Sequence, residues 1–403
     1  MNISAYDSKD GELVWVGKKI SDFHRLFNRT PFYLYDRIKI QNRIRKLRDQ
    51  FPKEIKLHYA VKANPKKELI EFLSPLVDGF DVASAGELNT IRHTRKSADE
   101  ISIAGPAKSV EELIDAVKSE ILISIESFRE IEELKFIWTK FGKRPKVIVR
   151  INPNFELKGS GMKMGGGSKP FGIDSEMVPA AIKNIFKYDL DFFGFHIYSG
   201  SQNLKHVSIV QAQKNSYQLA YELCKTCKLD IRVLNLGGGF GIPYFKGESD
   251  LDLGPIAQNL LNLVETARSE MPKTKFIIEL GRYLVGESGI YVCQVVDKKI
   301  SRGKTFLLVN GGLHHHLAAT GNLGQVIRRS YPIVIGNKIN ETILEEVSLA
   351  GPLCTPLDTF SDNILLPKAE IGDYLVLFQS GAYGATASPQ DFLSHPRVLE
   401  GLF

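Results

Sequence analysis

The chain has 403 residues, four cysteines and a formal net charge of +6. That length holds a barrel of ordinary size plus a smaller second domain, while the dispersed basic residues exclude the concentrated cationic surface of a nucleic-acid binder and suit an acidic substrate or protein partner. Four cysteines spread over such a chain do not make a disulfide framework, and no apolar run is long enough to cross a bilayer.

The opening MNISAYDSKDGELVW carries acidic residues and no apolar stretch. No secretory signal is expected there, and the chain is expected to stay in the cytoplasm. Two strand-like pieces, ELVWVG and FYLYD, come first. A rhythm of short β-branched runs and longer amphipathic stretches follows. The runs are KLHYAV (56–61), GFDVAS (79–84), ISIAG (101–105), ILISIE (121–126), VIVRIN (147–152), FFGFHI (192–197), VLNLGG (233–238) and FIIELG (276–281). Continuous apolar strands separated by helices predict a parallel sheet covered on both faces. Eight such units predict a (β/α)8 barrel, with a doubly wound open sheet as the alternative. From about residue 290 the pattern changes to strands with turn-like breaks, IYVCQVVDKKIS, KTFLLVN, EEVSLAG and DYLVLFQ. These predict a mostly antiparallel β domain. The expected division is 1–33 as a segment packing on the β domain, 34–288 as the barrel and 289–403 as the β domain.

Active sites of such barrels lie at the C-terminal ends of the strands. Here strand 1 ends in Lys62, and strand 2 in Ser84, followed by Gly86 and Glu87. Strand 5 ends with Arg150 and Asn152, and strand 6 with His196, Tyr198, Ser199, Gly200 and Ser201. Strand 7 ends with Gly237, Gly238 and Gly239, and strand 8 with Glu279, Gly281 and Arg282. Any one of these has a bland explanation; their gathering at one end of the predicted barrel is harder to dismiss. Glycines after a strand let backbone N–H groups approach an anion closely. LGGGFG is not a P-loop, because no G-K-[ST] follows, and it lacks the dinucleotide fingerprint. The glycine-rich stretch KGSGMKMGGGSKPFG (158–172) is expected to lie near a site. A phosphate site, a strand-end lysine, a histidine and a buried glutamate together point to pyridoxal phosphate. In that reading Lys62 holds the aldehyde, His196 stacks on the ring, and Glu279 faces the pyridine nitrogen.

Other features have plain explanations. Cys224 and Cys227 read as two cysteines on a helix. His314 to His316 have no acidic or cysteine ligand close in sequence, so no metal is assigned.

In order, YAVKAN, DVASAGEL, GFHIYSGSQ, LNLGGGFGIP, IELGRYLV, GPLCTPLDT and SGAYG resemble the motifs of the fold-type III pyridoxal-phosphate decarboxylases, which include diaminopimelate, ornithine and arginine decarboxylases. The resemblance runs from about residue 30 to 390. It implies that Lys62 is the Schiff-base lysine and His196 the stacking histidine. It implies that Gly237 to Gly239, Gly281 and Arg282 cradle the phosphate, with Tyr383 and either Ser199 or Ser201 also reaching it. Glu279 matches the acid at the pyridine nitrogen, although Leu280 stands where a proline usual in the family would follow. Arg150 and Asp81 match cofactor-proximal positions. Cys354 matches a cysteine that family members contribute from a partner subunit to protonate the carbanion, which implies a homodimer with shared sites. Without its motif, Cys354 would read as a small hydrophobe.

Thr355 follows that cysteine, where ornithine- and diaminopimelate-type enzymes carry an acid for the substrate's distal amine. A neutral hydroxyl cannot balance a buried ammonium. Asp358 remains as a candidate substrate contact. NGGLHHHLAATGNLGQVIRRSYP (310–332) resembles a subgroup acting on amino acids tethered to acyl-carrier proteins, such as the glutamyl-carrier decarboxylase of aminoglycoside biosynthesis, and decarboxylases encoded with exosortase systems. There Arg328 and Arg329 would meet a carboxylate or a pantetheine phosphate. The expected function is decarboxylation of an L- or D-amino acid, with a carrier-tethered form as the substrate the subgroup resemblance implies. A free diamino acid as substrate and an amino-acid racemase of the same fold are the alternatives. Racemases of the alanine type carry arginine near the pyridine nitrogen, whereas this chain carries Glu279.

Overall fold

The computed structural model describes residues 7–156, 162–245, 247–323, 325 and 329–403. The chain divides into two compact units: residues 41–242 with 250–284, and residues 1–40 with 243–249 and 285–403. Segments 34–40, 243–249 and 285–288 therefore fall with the β unit rather than with the barrel.

Eight strands of the barrel unit form its closed sheet, β1 (Ile55–Ala60), β2 (Gly79–Val82), β3 (Ile101–Ile103), β4 (Leu122–Ile125), β5 (Lys146–Asn152), β6 (Asp191–Ile197), β7 (Val233–Asn235) and β8 (Lys275–Leu280). Each pairs in parallel with the next, and β8 pairs with β1, so the sheet closes. This is the (β/α)8 barrel that the eight apolar runs predict; the open sheet is ruled out by the β8–β1 pairing. Residues β-branched at Cβ suit strands covered on both faces. The intervening helices begin where polar caps occur. Ser109 and Glu112 form a reciprocal capping box at the helix Val110–Lys118, and Ser127 caps Phe128–Phe141, which Gly142 ends with φ of 66°. Inside the barrel, Leu122, Ile148, Val233 and Ile277 form an apolar floor with Phe193 against it.

The second unit is built on an eight-stranded sheet. Its long strand Gly289–Ser301 pairs antiparallel with Phe32–Tyr35, Tyr374–Leu377 and Lys304–Val309. Two pairings are parallel: Lys304–Val309 with Leu344–Ala350, and Leu399–Leu402 with Phe32–Tyr35. The sheet is thus mostly antiparallel, and FYLYD is one of its strands. ELVWVG falls instead in a small three-stranded sheet, whose Leu13 and Trp15 join Phe23, Phe32, Ile290, Val376 and Phe378 in the unit's core.

One buried ion pair braces the C-terminal end of the barrel. Lys108 Nζ lies 3.0 Å from Glu130 Oε1 and donates to the carbonyls of Gly105 and Ser124, each at 2.8 Å. Glu130 Oε2 accepts the N–H of Glu126 at 2.8 Å. Both side chains are buried, so removing one partner strands a charge. Lys108→Met is expected to cost about 3–5 kcal/mol and to lower the urea midpoint. Adding Glu130→Leu is expected to recover most of that loss. An unchanged midpoint in the single variant would contradict this account of the pair.

Candidate functional site

Seven of the eight barrel strands send a hydrogen-bonded polar side chain into three short networks. The first crosses the barrel: Glu279 Oε1 on β8 accepts from His196 Nε2 on β6 at 2.9 Å, and His196 Nδ1 pairs with Ser124 Oγ on β4 at 2.9 Å. Burial pushes the Glu279 carboxyl up in pKa. The charge and hydrogen bond of His196, with the charges of Lys62 and Arg150, outweigh it and hold the group well below the usual carboxylate range. Glu279 Oε2 makes no hydrogen bond among the described residues.

The second network joins adjacent strands. Asp81 Oδ1 on β2 pairs with His58 Nδ1 on β1 at 3.1 Å and accepts from Ser102 Oγ on β3. In the third, Arg150 Nη1 on β5 donates to Glu126 Oε1 at 2.7 Å, and the same carboxylate receives the N–H groups of Gly105 and Gly172 at 2.7 and 3.1 Å. Glu126 thereby ties the loops after β3, β4 and β5 together.

Lys62 sits in the single turn Val61–Ala63 that follows β1, with Nζ 5.7 Å from the centroid of the Tyr198 ring. Glu87 is close enough to feel it. Burial raises the Glu87 pKa, opposed by the Ala83 N–H and by the charge of Lys62. The glycines after β7 are packed by backbone. A Cβ on Gly238 would lie 1.9 Å from the Glu279 carbonyl oxygen, and one on Gly239 2.2 Å from that of Gly200. Gly237 has φ of 67° and donates its N–H to Asn235 Oδ1 at 2.8 Å. A Cβ on Gly281 would lie 2.7 Å from Ala63 Cβ, so the start of the Arg282–Val285 turn packs on the turn carrying Lys62. Ser199 is buried and Ser201 half-buried in the segment beneath Gly239.

Two strand-end residues prove local. Ser84 accepts the N–H of Glu87 as a helix N-cap. Asn152 donates to Gly167 O and Asp174 Oδ1 and accepts the N–H of Gly166, fastening the loop after β5. Residues 158–161 of the glycine-rich stretch lie outside the described residues.

The β unit holds the remaining candidates. Cys354 is exposed, and Thr355 is half-buried beside it. Asp358, expected at the substrate, is turned inward: its oxygens accept the N–H groups of Leu313 at 2.5 Å and Leu353 at 2.9 Å. Cβ atoms on Gly312 or Gly351 would lie 2.3 and 2.2 Å from that carboxylate. The structure therefore makes Asp358 a clamp between two loops rather than a free contact. Tyr383 is half-buried with φ of 54°. Arg329 is 3.3 Å from Glu248 and stacks on Phe245 at 3.9 Å, while Arg328 lies outside the described residues. His314 to His316 are buried, and burial pulls their pKa values down to about 3, 4 and 3. His315 donates to Pro396 O, and His316 pairs with Ser380 Oγ. Cys224 is buried and Cys227 half-buried on the helix His206–Cys227, and burial lifts the Cys224 thiol to about 12.

Sequence reading missed His58, Ser102, Ser124, Glu126 and Asn235. Each is a polar residue within or just after an apolar run, which is the signal that would have found them.

The site's residues suit an aldehyde cofactor with a basic ring nitrogen and a phosphate. An ionised carboxylate keeps one oxygen open, an amine stands at the neighbouring strand end, and the N–H groups of Gly238 and Gly239 donate to no acceptor among the described residues. A family model described as pyridoxal-dependent decarboxylase, pyridoxal binding domain, matches residues 37–286. An L-glutamyl-[BtrI acyl-carrier protein] decarboxylase of Niallia circulans is 38% identical over 377 residues, covering 92% of this chain and 88% of that one. The diaminopimelate decarboxylase of Aquifex aeolicus is 31% identical, covering 98% and 91%. Among solved structures, diaminopimelate decarboxylase of Helicobacter pylori complexed with L-lysine matches with a TM-score of 0.83 at 28% identity, covering 94% of each chain. That of M. jannaschii in co-complex with L-lysine matches with a TM-score of 0.87 at 26% identity, covering 99% and 92%.

The chain belongs to the pyridoxal-dependent decarboxylases. It is a carbon–carbon lyase, and its cofactor is pyridoxal phosphate.

Gly238→Ala is expected to push the loop after β7 away from β8 at a cost of about 1–3 kcal/mol. The visible absorbance that survives dialysis should fall accordingly. Full retention would mean that this close approach does not matter to cofactor binding.

Proposed function

We propose that the substrate is an amino acid presented on an acyl-carrier protein, with glutamate as the leading side chain. The observation that carries this is Thr355, a neutral residue beside Cys354 where a free diamino substrate needs a carboxylate. The similarity at 38% identity to a glutamyl-carrier decarboxylase supports it. A free diamino acid is the second reading, favoured by the similarity to diaminopimelate decarboxylases over nearly the whole chain.

Pyridoxal phosphate supplies an aldehyde that captures an amine and a ring that draws electrons from the bond between Cα and its carboxylate. In this proposal the amine of Lys62 would hold the aldehyde. Glu279 uses its open oxygen to keep the ring nitrogen protonated. His196, fixed by Ser124 and Glu279, supports the ring face. Gly237 to Gly239, Gly281, Arg282, Tyr383 and either Ser199 or Ser201 hold the phosphate. Asp81 lies beside the turn of Lys62, and Arg150 adds positive charge near Glu279. The active unit is a homodimer in which Cys354 of the partner subunit returns a proton to Cα. Arg328 and Arg329 meet the carboxylate or phosphate of a carrier-borne substrate; Glu248 then competes for Arg329.

The test is CO2 release by the cofactor-loaded protein from diaminopimelate, ornithine, lysine, arginine, glutamate and glutamate on an acyl carrier. Release only from the carrier-linked form is the expected result. Release from a free diamino acid would overturn the carrier assignment and move distal-amine binding to a residue other than Thr355. Lys62→Ala is expected to remove turnover with every substrate.

A further inference from the structure

The network of His58, Asp81 and Ser102 is approached from the side of the barrel opposite the strand ends. A cavity of about 320 Å3 opens at the N-terminal ends of the strands, and both His58 and Ser102 line it, with Lys56, Lys146 and Lys275 among the residues at its rim. Asp81 sits above them. It is aligned with Ala60 in the β1–β2 register, and β2 packs directly on the turn Val61–Ala63 that carries Lys62. His58 itself is flanked in register by Gly79 on β2 and by Glu279 on β8.

Asp81 is 6% exposed, and both donors go to the same oxygen. Oδ2 is buried and makes no hydrogen bond among the described residues. A buried carboxylate with an empty oxygen is costly unless a cation or donor meets it. Two donors on Oδ1 stop the carboxyl from rotating. What remains is one anionic oxygen, fixed from below, beside the turn that bears the amine.

We propose that His58 is a positioning residue for the decarboxylase: together with Ser102 it holds Asp81 as a fixed carboxylate whose free oxygen stabilises the positive charge at the nitrogen of Lys62. The proposal rests on the reading of Lys62 as the cofactor-bearing lysine. A carboxylate oxygen held on that side of the amine stabilises the protonated nitrogen, and Glu87 and Glu279 are further carboxylates that feel the charge of Lys62. Without His58, Asp81 loses one of the two donors that fix its carboxyl, and its open oxygen is no longer held toward the turn of Lys62. Gln at position 58 can still donate an N–H; Leu cannot.

The experiment is a pH titration of the visible absorption band of the loaded enzyme for the unaltered protein, Asp81→Asn, His58→Leu, His58→Gln and Ser102→Ala. Asp81→Asn and His58→Leu are each expected to lower the midpoint by about one unit or more. The double variant should move it no further than Asp81→Asn alone, because one residue acts through the other. His58→Gln should restore most of the shift, which separates donation from mere packing, and Ser102→Ala should give a smaller shift in the same direction. If Asp81→Asn moves the midpoint and His58→Leu does not, the proposal is overturned while the reading of Lys62 stands. If Lys62→Ala shows the same titrating band, the reading of Lys62 itself fails. Should His58→Leu not fold, a full shift with His58→Gln, equal to that of Asp81→Asn, would equally overturn the donor argument.

Discussion

The carboxylate of Glu279 lies within a closed parallel sheet, where an ionised group without partners would not persist. His196 and the nearby cations make it possible, and much of the site's construction follows. To hold His196 at 2.9 Å, β6 must bring it across the interior toward β8, and Ser124 on β4 must secure the far side of its ring. To let β7 sit close to β8, Gly238 must be glycine, since a Cβ would occupy the space of the Glu279 carbonyl. Placing the acid therefore constrains four strands at once.

The barrel interior is divided by chemistry. Its floor is apolar, built from Leu122, Ile148, Val233 and Ile277. Toward the strand ends it becomes polar, with Glu279, His196, Asp81, Arg150 and Glu126 joined into networks that satisfy one another. Such networks stiffen a site because the central member of each, His196, Asp81 or Glu126, is held by two or more partners, and the low dielectric makes a broken link expensive. The ion pair of Lys108 and Glu130 extends the arrangement outward by anchoring the backbone of Glu126.

Much of this was legible in the sequence, for a physical reason. Parallel strands buried on both faces appear as unbroken apolar runs, so all eight could be placed, and their ends mark where a barrel puts its chemistry. Lys62, His196, the three glycines and Glu279 stand at those ends. The partners of these residues were not legible. Ser124 meets His196 across a separation of 72 residues, and only the pairing of β4 and β6 with β5 between them brings the two together. His58 and Ser102 sit inside apolar runs, where a single polar residue has many innocent explanations. Asp358 misled in the opposite sense: a lone acid in a functional motif suggests a ligand contact, yet Gly312 and Gly351 lack side chains because its carboxylate fills that space. The approach of Gly312 joins residues far apart in the chain, and no local pattern announces it.

The account depends on one covalent assignment, that of the cofactor to Lys62. Reduction of the loaded enzyme with borohydride, followed by proteolysis and peptide mass mapping, tests it directly. A pyridoxyl adduct on the peptide containing YAVKAN, at Lys62, is the predicted result. An adduct on another lysine, with Lys62 unmodified, would contradict the site as described.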